Sequence, residues 1–155
     1  MMKYVVDGYN LIGAIRSISF TDPQKEEKLK QFIVKRRANK LDQFLLVFDG
    51  KNPNYEYGAE HSNQEGIALY FTAYGQTADE YMIQFVETTK QKSGIVVVTS
   101  DREIQKSAKS AKFVVQSVKD FLMSYDNRQD SEEQKPVEDD MGFWLNQFNG
   151  DKNGL

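Results

Sequence analysis

The chain has no cysteine, three prolines, one tryptophan and one histidine among its 155 residues. Without cysteine there is no disulfide, no thiolate metal site and no thiol nucleophile, a composition that accords with a reducing compartment. A single histidine excludes zinc centres built on several imidazoles and leaves the oxygen ligands as the only plentiful metal donors. Long hydrophobic runs are also missing. The opening Met1-Met2-Lys3-Tyr4-Val5-Val6-Asp7 meets charge before an apolar leader segment develops, and no later run reaches membrane-spanning length, so a soluble cytoplasmic protein is expected.

The net charge of −3 is unevenly spread. Residues 126–155 carry eight acids against three bases, while residues 1–125 carry fifteen acids against seventeen bases. The body is mildly basic and the tail acidic, and a body with clustered acids that still nets positive has bases for a polyanion.

Alternating strand and helix signals fill the body. Lys3 to Val6 reads as a strand followed by the turn residues Asp7, Gly8 and Asn10. Thr21 or Asp22 is placed to cap a helix with Pro23 in its first turn and Leu29, Phe32 and Ile33 on one face, ending near Asn39. Phe44 to Phe48 reads as a strand buried on both faces, and Gly50 to Glu65 as a long loop. Ile67 to Phe71 resumes strand character. Thr77 and Glu80 form a capping-box pair opening a helix to about Lys92, and Gly94 precedes the strand Ile95 to Thr99. Ser100 and Glu103 repeat the capping-box pattern. Phe113 to Gln116 is a fifth strand, Ser117 caps a last helix carrying Val118, Phe121 and Leu122, and the body ends near Tyr125. This order predicts a three-layer α/β/α domain with a central, mainly parallel sheet over residues 1–125.

Residues 126–155 form an acidic tail of disordered composition. Within it Met141, Trp144, Leu145 and Phe148 recur at i, i+3, i+4 and i+7, the spacing of a short helix with one apolar face that docks on this body or on a protein partner.

Three apolar runs end in an acid: Asp7, Asp49 and Asp101. A fourth acid, Asp79, opens a helix and shares the angular sector of Met82, Ile83 and Val86, which predicts an inward direction, whereas Glu80 points away. In a parallel sheet these strand ends share the carboxyl edge, where open α/β folds place ligands. Two unit charges 4 Å apart repel by about 4 kcal/mol at an effective dielectric of 20, so converging carboxylates protonate, separate or bind a cation. Oxygen-only ligands select Mg²⁺ or Mn²⁺, ions suited to phosphodiester hydrolysis. Tyr9 stands where an aspartyl-phosphate enzyme requires a second acid, and Gly8 starts no dinucleotide or P-loop fingerprint. Asn10 is placed beside the same site. Taken singly, each of these aspartates has an ordinary use as a turn former or helix cap.

Arg102, Lys106 and Lys109 recur at i, i+4 and i+7 on the helix after Asp101, a basic stripe that either contacts RNA phosphates or is a solvated helix face. A second cluster, Lys35, Arg36, Arg37 and Lys40, reads more readily as a solvated face. Tyr55, Tyr57 and His61 in the long loop are candidates for base stacking or for packing on the body.

Val6-Asp7-Gly8-Tyr9-Asn10, Val47-Phe48-Asp49, Gly75-Gln76-Thr77-Ala78-Asp79 and Thr99-Ser100-Asp101-Arg102 together resemble the NYN domains, and within them the YacP-like group, over Lys3 to Leu122. The resemblance implies a PIN-like fold and a metal-dependent endoribonuclease. It implies Asp7, Asp79 and Asp101 as metal-binding acids, Asp49 contributing, and Asn10 and Ser100 in support. It further implies messenger RNA and translating ribosomes as the setting. The Gly50 to Glu65 loop and the chain after Tyr125 match no family pattern, and Gly50 stands where relatives often have a small side chain. A non-catalytic RNA- or ribosome-binding adaptor with the same fold is the alternative expectation.

Overall fold

A computed structural model describes residues 1–125 apart from Asn52 and Asn54. The apolar tail motif of Met141, Trp144, Leu145 and Phe148 therefore lies outside the described residues. The elements, in chain order, are β1 (Lys3–Asp7), α1 (Gly8–Ile12), α2 (Lys25–Arg36), β2 (Gln43–Phe48), β3 (Ala59–Gln64), β4 (Ile67–Phe71), α3 (Ala78–Thr88), β5 (Ile95–Val98), α4 (Arg102–Ser110), β6 (Val114–Gln116) and α5 (Val118–Tyr125). Six strands form one sheet in the order β3-β4-β2-β1-β5-β6, parallel throughout except for the antiparallel edge strand β3.

Period-two alternation sorts the strand residues onto two faces. On one side Val6, Phe44, Leu46, Phe48, Leu69, Phe71 and Val98 pack with Leu11 and Ile12 of α1, Leu29, Phe32 and Ile33 of α2, and Phe121 and Leu122 of α5. On the other, Val5, Leu45, Val47, Ala68 and Val97 pack with Met82 and Val86 of α3 and Ile104 and Ala108 of α4. The central strands are apolar at consecutive positions because both faces are covered, and the expected three-layer α/β/α architecture is present.

β3 replaces part of the expected Gly50 to Glu65 loop. Its sequence, AEHSNQ, lacks an apolar alternation, since an edge strand needs only one partner and is held by backbone pairing to β4. Glu65 (φ 56) and Gly66 (φ 77) both turn left-handed, the geometry of a two-residue hairpin. Arg37 donates to the carbonyl oxygens of Asp42 and Glu65, which pins this turn to the connection between α2 and β2.

Four helix boundaries differ from expectation. α2 begins at Lys25 without a side-chain cap, because Asp22 instead accepts from the Gln24 N–H and binds Lys28 in the preceding turn; it ends at Arg36, and α3 ends at Thr88. The cap of α4 is Asp101 itself, whose Oδ1 accepts from the Ile104 N–H at 3.0 Å, so Ser100 and Glu103 form no capping box there. The Thr77–Glu80 box and the Ser117 cap are present, with Ser117 Oγ accepting from the Asp120 N–H.

Candidate active site

β1 and β5 are neighbours, yet the chain leaving β1 enters helices on one face and the chain leaving β5 enters α4 on the other. The two connections part at the carboxyl edge and open a crevice, the position at which open α/β sheets bind ligands. A cleft of about 420 Å³ lies there, lined by Asp7, Asp49, Asp79 and Asp101 together with Tyr9, Asn10, Thr77 and Ala78. All four aspartates singled out from the sequence therefore share one cavity.

Each acid reaches the cleft by a different local device. Asp7 ends β1 and caps α1, with its carboxylate accepting from the Asn10 N–H at 3.4 Å. Asp49 follows β2 and accepts from the Ala78 N–H at 2.6 Å, which ties the start of α3 to the sheet edge. Asp101 follows Thr99 and Ser100 and caps α4. Asp79, in the first turn of α3, is exposed, which corrects the inward direction expected from its helical angle. Met82 and Val86 are buried on that sector, but the first turn overhangs the sheet edge, so the same face emerges over the cleft.

No Lys or Arg forms an ion pair with any of the four acids among the described residues. Burial pushes the Asp7 carboxyl up to about 7, with the negative charges of Asp79 and then Asp101 adding to it; the hydrogen bonds from Asn10 and Thr99 pull the other way. Asp79 is also raised, first by desolvation and then by Asp101 and Asp49. The N-termini of α3 and α4 point positive dipole ends at this edge and offset a fraction of that cost. Among the described residues no three acidic, histidine or cysteine side chains stand in a ready-made metal cage. The donor chemistry nevertheless fits a hard cation, and Mg²⁺ commonly keeps several waters and takes only one or two carboxylates.

Two supporting residues divide in role. The Asn10 side-chain oxygen accepts from the Ser100 N–H at 2.7 Å and joins the turn after β1 to the turn after β5. Ser100 does not line the cleft; its buried hydroxyl accepts from the Val118 N–H and fixes the start of α5. Thr99, which sequence reading passed over, is fully buried, donates from Oγ1 to Asp7 at 3.3 Å and accepts from the Asp101 N–H at 3.0 Å, linking two of the acids. Tyr9 was also unassigned. It lines the cleft, donates to the fully buried Glu26 and packs its ring on Phe48, and burial together with Glu26 holds its hydroxyl protonated. Its only sequence signal was its place between Asp7 and Asn10.

Arg102, Lys106 and Lys109 are exposed on α4, with Ile104 and Ala108 buried opposite. The second basic cluster divides: Lys35 and Lys40 are exposed, whereas Arg36 lies over the Phe32 ring at 4.0 Å and Arg37 clamps backbone carbonyls. It also precedes β2, at the edge opposite the acids. Tyr55 stacks on Phe71 at 4.1 Å and His61 meets both rings edge-on, so these two pack on the body.

A model of the YacP-like NYN domain matches residues 4–143. The chain belongs to the YacP-like NYN family. That match extends past Leu122 into the acidic tail and includes Met141, so the family resemblance covers more than its four motifs delimit. The solved structure of Rae1 (YacP) from Bacillus subtilis is similar over 99% of this chain and 85% of that one, at 19% identity and a TM-score of 0.63. A tryptophan-to-leucine variant of the same protein aligns over 81% and 75% of the two chains, at 21% identity and a TM-score of 0.59. These likenesses establish the PIN-like NYN fold. No curated protein matches the chain. Membership of the YacP-like NYN family makes this an RNA-related, nuclease-type domain. Among the described residues no helix is long and apolar enough to cross a membrane.

Proposed function

We propose that this YacP-like NYN domain is a metal-dependent endoribonuclease that hydrolyses RNA phosphodiesters. The observation that carries the reading is the cleft in which four carboxylates gather without a basic partner among the described residues. Burial and mutual repulsion raise the proton affinity of Asp7, and the same forces raise its affinity for a cation. Asp7, Asp79 and Asp101, with Asp49, would hold Mg²⁺ or Mn²⁺, which when bound supplies charge neutralisation at the scissile phosphate and an acidified water.

The protein's own residues do the remaining work. Thr99 and Asn10 fix the spacing of the β1 and β5 turns and so of Asp7 and Asp101. The Asp49 bond to Ala78 holds the first turn of α3, and with it Asp79, over the cleft. Arg102, Lys106 and Lys109 extend from the Asp101 cap along α4 as contacts for successive phosphates. Messenger RNA, met on a translating ribosome, is the substrate setting that the family resemblance implies.

A non-catalytic RNA- or ribosome-binding adaptor is the second reading, favoured by the absence of a three-acid cage among the described residues. One assay separates the two: purified protein incubated with RNA and Mn²⁺, with and without ribosomes. Chelator-sensitive cleavage supports the nuclease; RNA binding with no cleavage in either condition supports the adaptor.

A further inference from the structure

We infer that Tyr57 and Tyr74 form a stacking platform for an unpaired base of single-stranded RNA at the mouth of the acidic cleft. This rests on the RNA-directed reading above and adds the strand state of the substrate.

Aromatic side chains of this domain are mostly buried or packed on the body, as Tyr55 is on Phe71. Tyr74 departs from this, with 88% of its surface exposed, and Tyr57 is 40% exposed. Their rings face each other at 6.3 Å between centroids and 25° between planes. Exposing two tyrosine rings side by side forgoes the hydrophobic gain of burying them. Base stacking on such rings covers their faces and requires no particular sequence.

The pair is anchored to the cleft from both sides. A side chain added at Gly50, directly after Asp49, would place its Cβ 3.1 Å from Tyr57 Cδ1, so the Tyr57 ring lies against the chain at the cleft wall. Tyr74 precedes the cleft-lining Thr77 by three residues. Between them, the Gly50 N–H donates to Thr72 Oγ1 at 2.9 Å, and the Thr72 hydroxyl donates to the Gln76 carbonyl at 2.6 Å. These two bonds tie Gly50, which follows Asp49, to Gln76, which precedes the cleft-lining Thr77. Lys51 is exposed beside it and has no ion-pair partner among the described residues, which leaves its ammonium group available to a neighbouring phosphate. A duplex keeps its base faces covered, so only an unpaired strand can use the two rings.

The test is fluorescence anisotropy of the full chain, in chelator, with a labelled RNA oligomer presented single-stranded and as a duplex. Tyr74→Ala and Tyr57→Ala are each expected to weaken single-strand binding about fivefold or more, with duplex binding unchanged and Tyr74→Trp within about twofold of wild type. Equal affinity of wild type and both alanine variants overturns the platform, as does an equal loss on the duplex, failure of Tyr74→Trp to retain binding, or absence of single-strand binding by wild type. Cleavage in Mn²⁺ is read separately. Binding that depends on Tyr74 in a protein that cleaves nothing keeps the platform and removes the nuclease; cleavage lost in Asp101→Asn, with binding indifferent to Tyr74, does the reverse.

Discussion

Asp7 carries the largest electrostatic cost in the cleft, and its consequences are measurable without substrate. Its carboxyl is raised to about 7 in the folded chain, against about 3.8 when exposed. The folded state therefore holds the proton more tightly, and the stability linked to it is full below about pH 4 and lost as pH rises towards 7. Asp7→Asn keeps an N-cap for α1 and removes the charge. In chelator, thermal or urea unfolding should show the variant more stable than wild type by on the order of 2–4 kcal/mol at pH 8, with the gap closing towards pH 4. Added Mn²⁺ should reverse the order by stabilising wild type alone. At Gly50 the constraint is steric: a Cβ would lie 2.0 Å from the Thr72 carbonyl oxygen. Gly50→Ala should destabilise by about 1–3 kcal/mol in urea unfolding, because backbone must move to admit it. Even a small side chain at this position does not fit this backbone.

Elements were legible in the sequence where one physical rule acted alone. β1, β2 and β5 stand out as apolar runs because helices cover both faces, and the Thr77–Glu80 box announces α3 by local chemistry. β3 was hidden because pairing to β4, rather than an apolar pattern, holds it. α1 was hidden because five residues are too few for a helical period, and its cap is a site residue. The α4 cap was misplaced by one residue for a related reason: Asp101 serves helix and cleft at once. Substitution separates those two duties. Asp101→Asn should abolish cleavage and leave stability nearly unchanged, whereas Asp101→Ala should abolish cleavage and also cost about 1 kcal/mol in urea unfolding through loss of the cap.

Across the whole molecule, the acids and the basic stripe meet through topology. The four aspartates lie far apart in sequence, and the parallel sheet brings three strand ends to one edge while α3 returns the fourth acid over it. Strand-end placement and family motifs foretold that gathering. They did not foretell the loop that carries Tyr74, which has neither periodicity nor charge. The stripe on α4 begins at this edge, so under the proposed function phosphates tracking Arg102, Lys106 and Lys109 would be led to the cleft. The double variant Lys106→Ala/Lys109→Ala should weaken RNA binding and reduce the slope of log affinity against log salt by about 1.4 for a single strand, measured by anisotropy titration.

The central claim is that the carboxyl-edge acids perform metal-dependent RNA hydrolysis, and the direct measurement is Mn²⁺-dependent cleavage of RNA by wild type, Asp7→Asn and Asp101→Asn, each shown to be folded. The account predicts chelator-sensitive cleavage by wild type, with or without ribosomes, and a loss of at least about 100-fold in either variant. Full activity in either asparagine variant, or cleavage by wild type that persists in chelator, would contradict it.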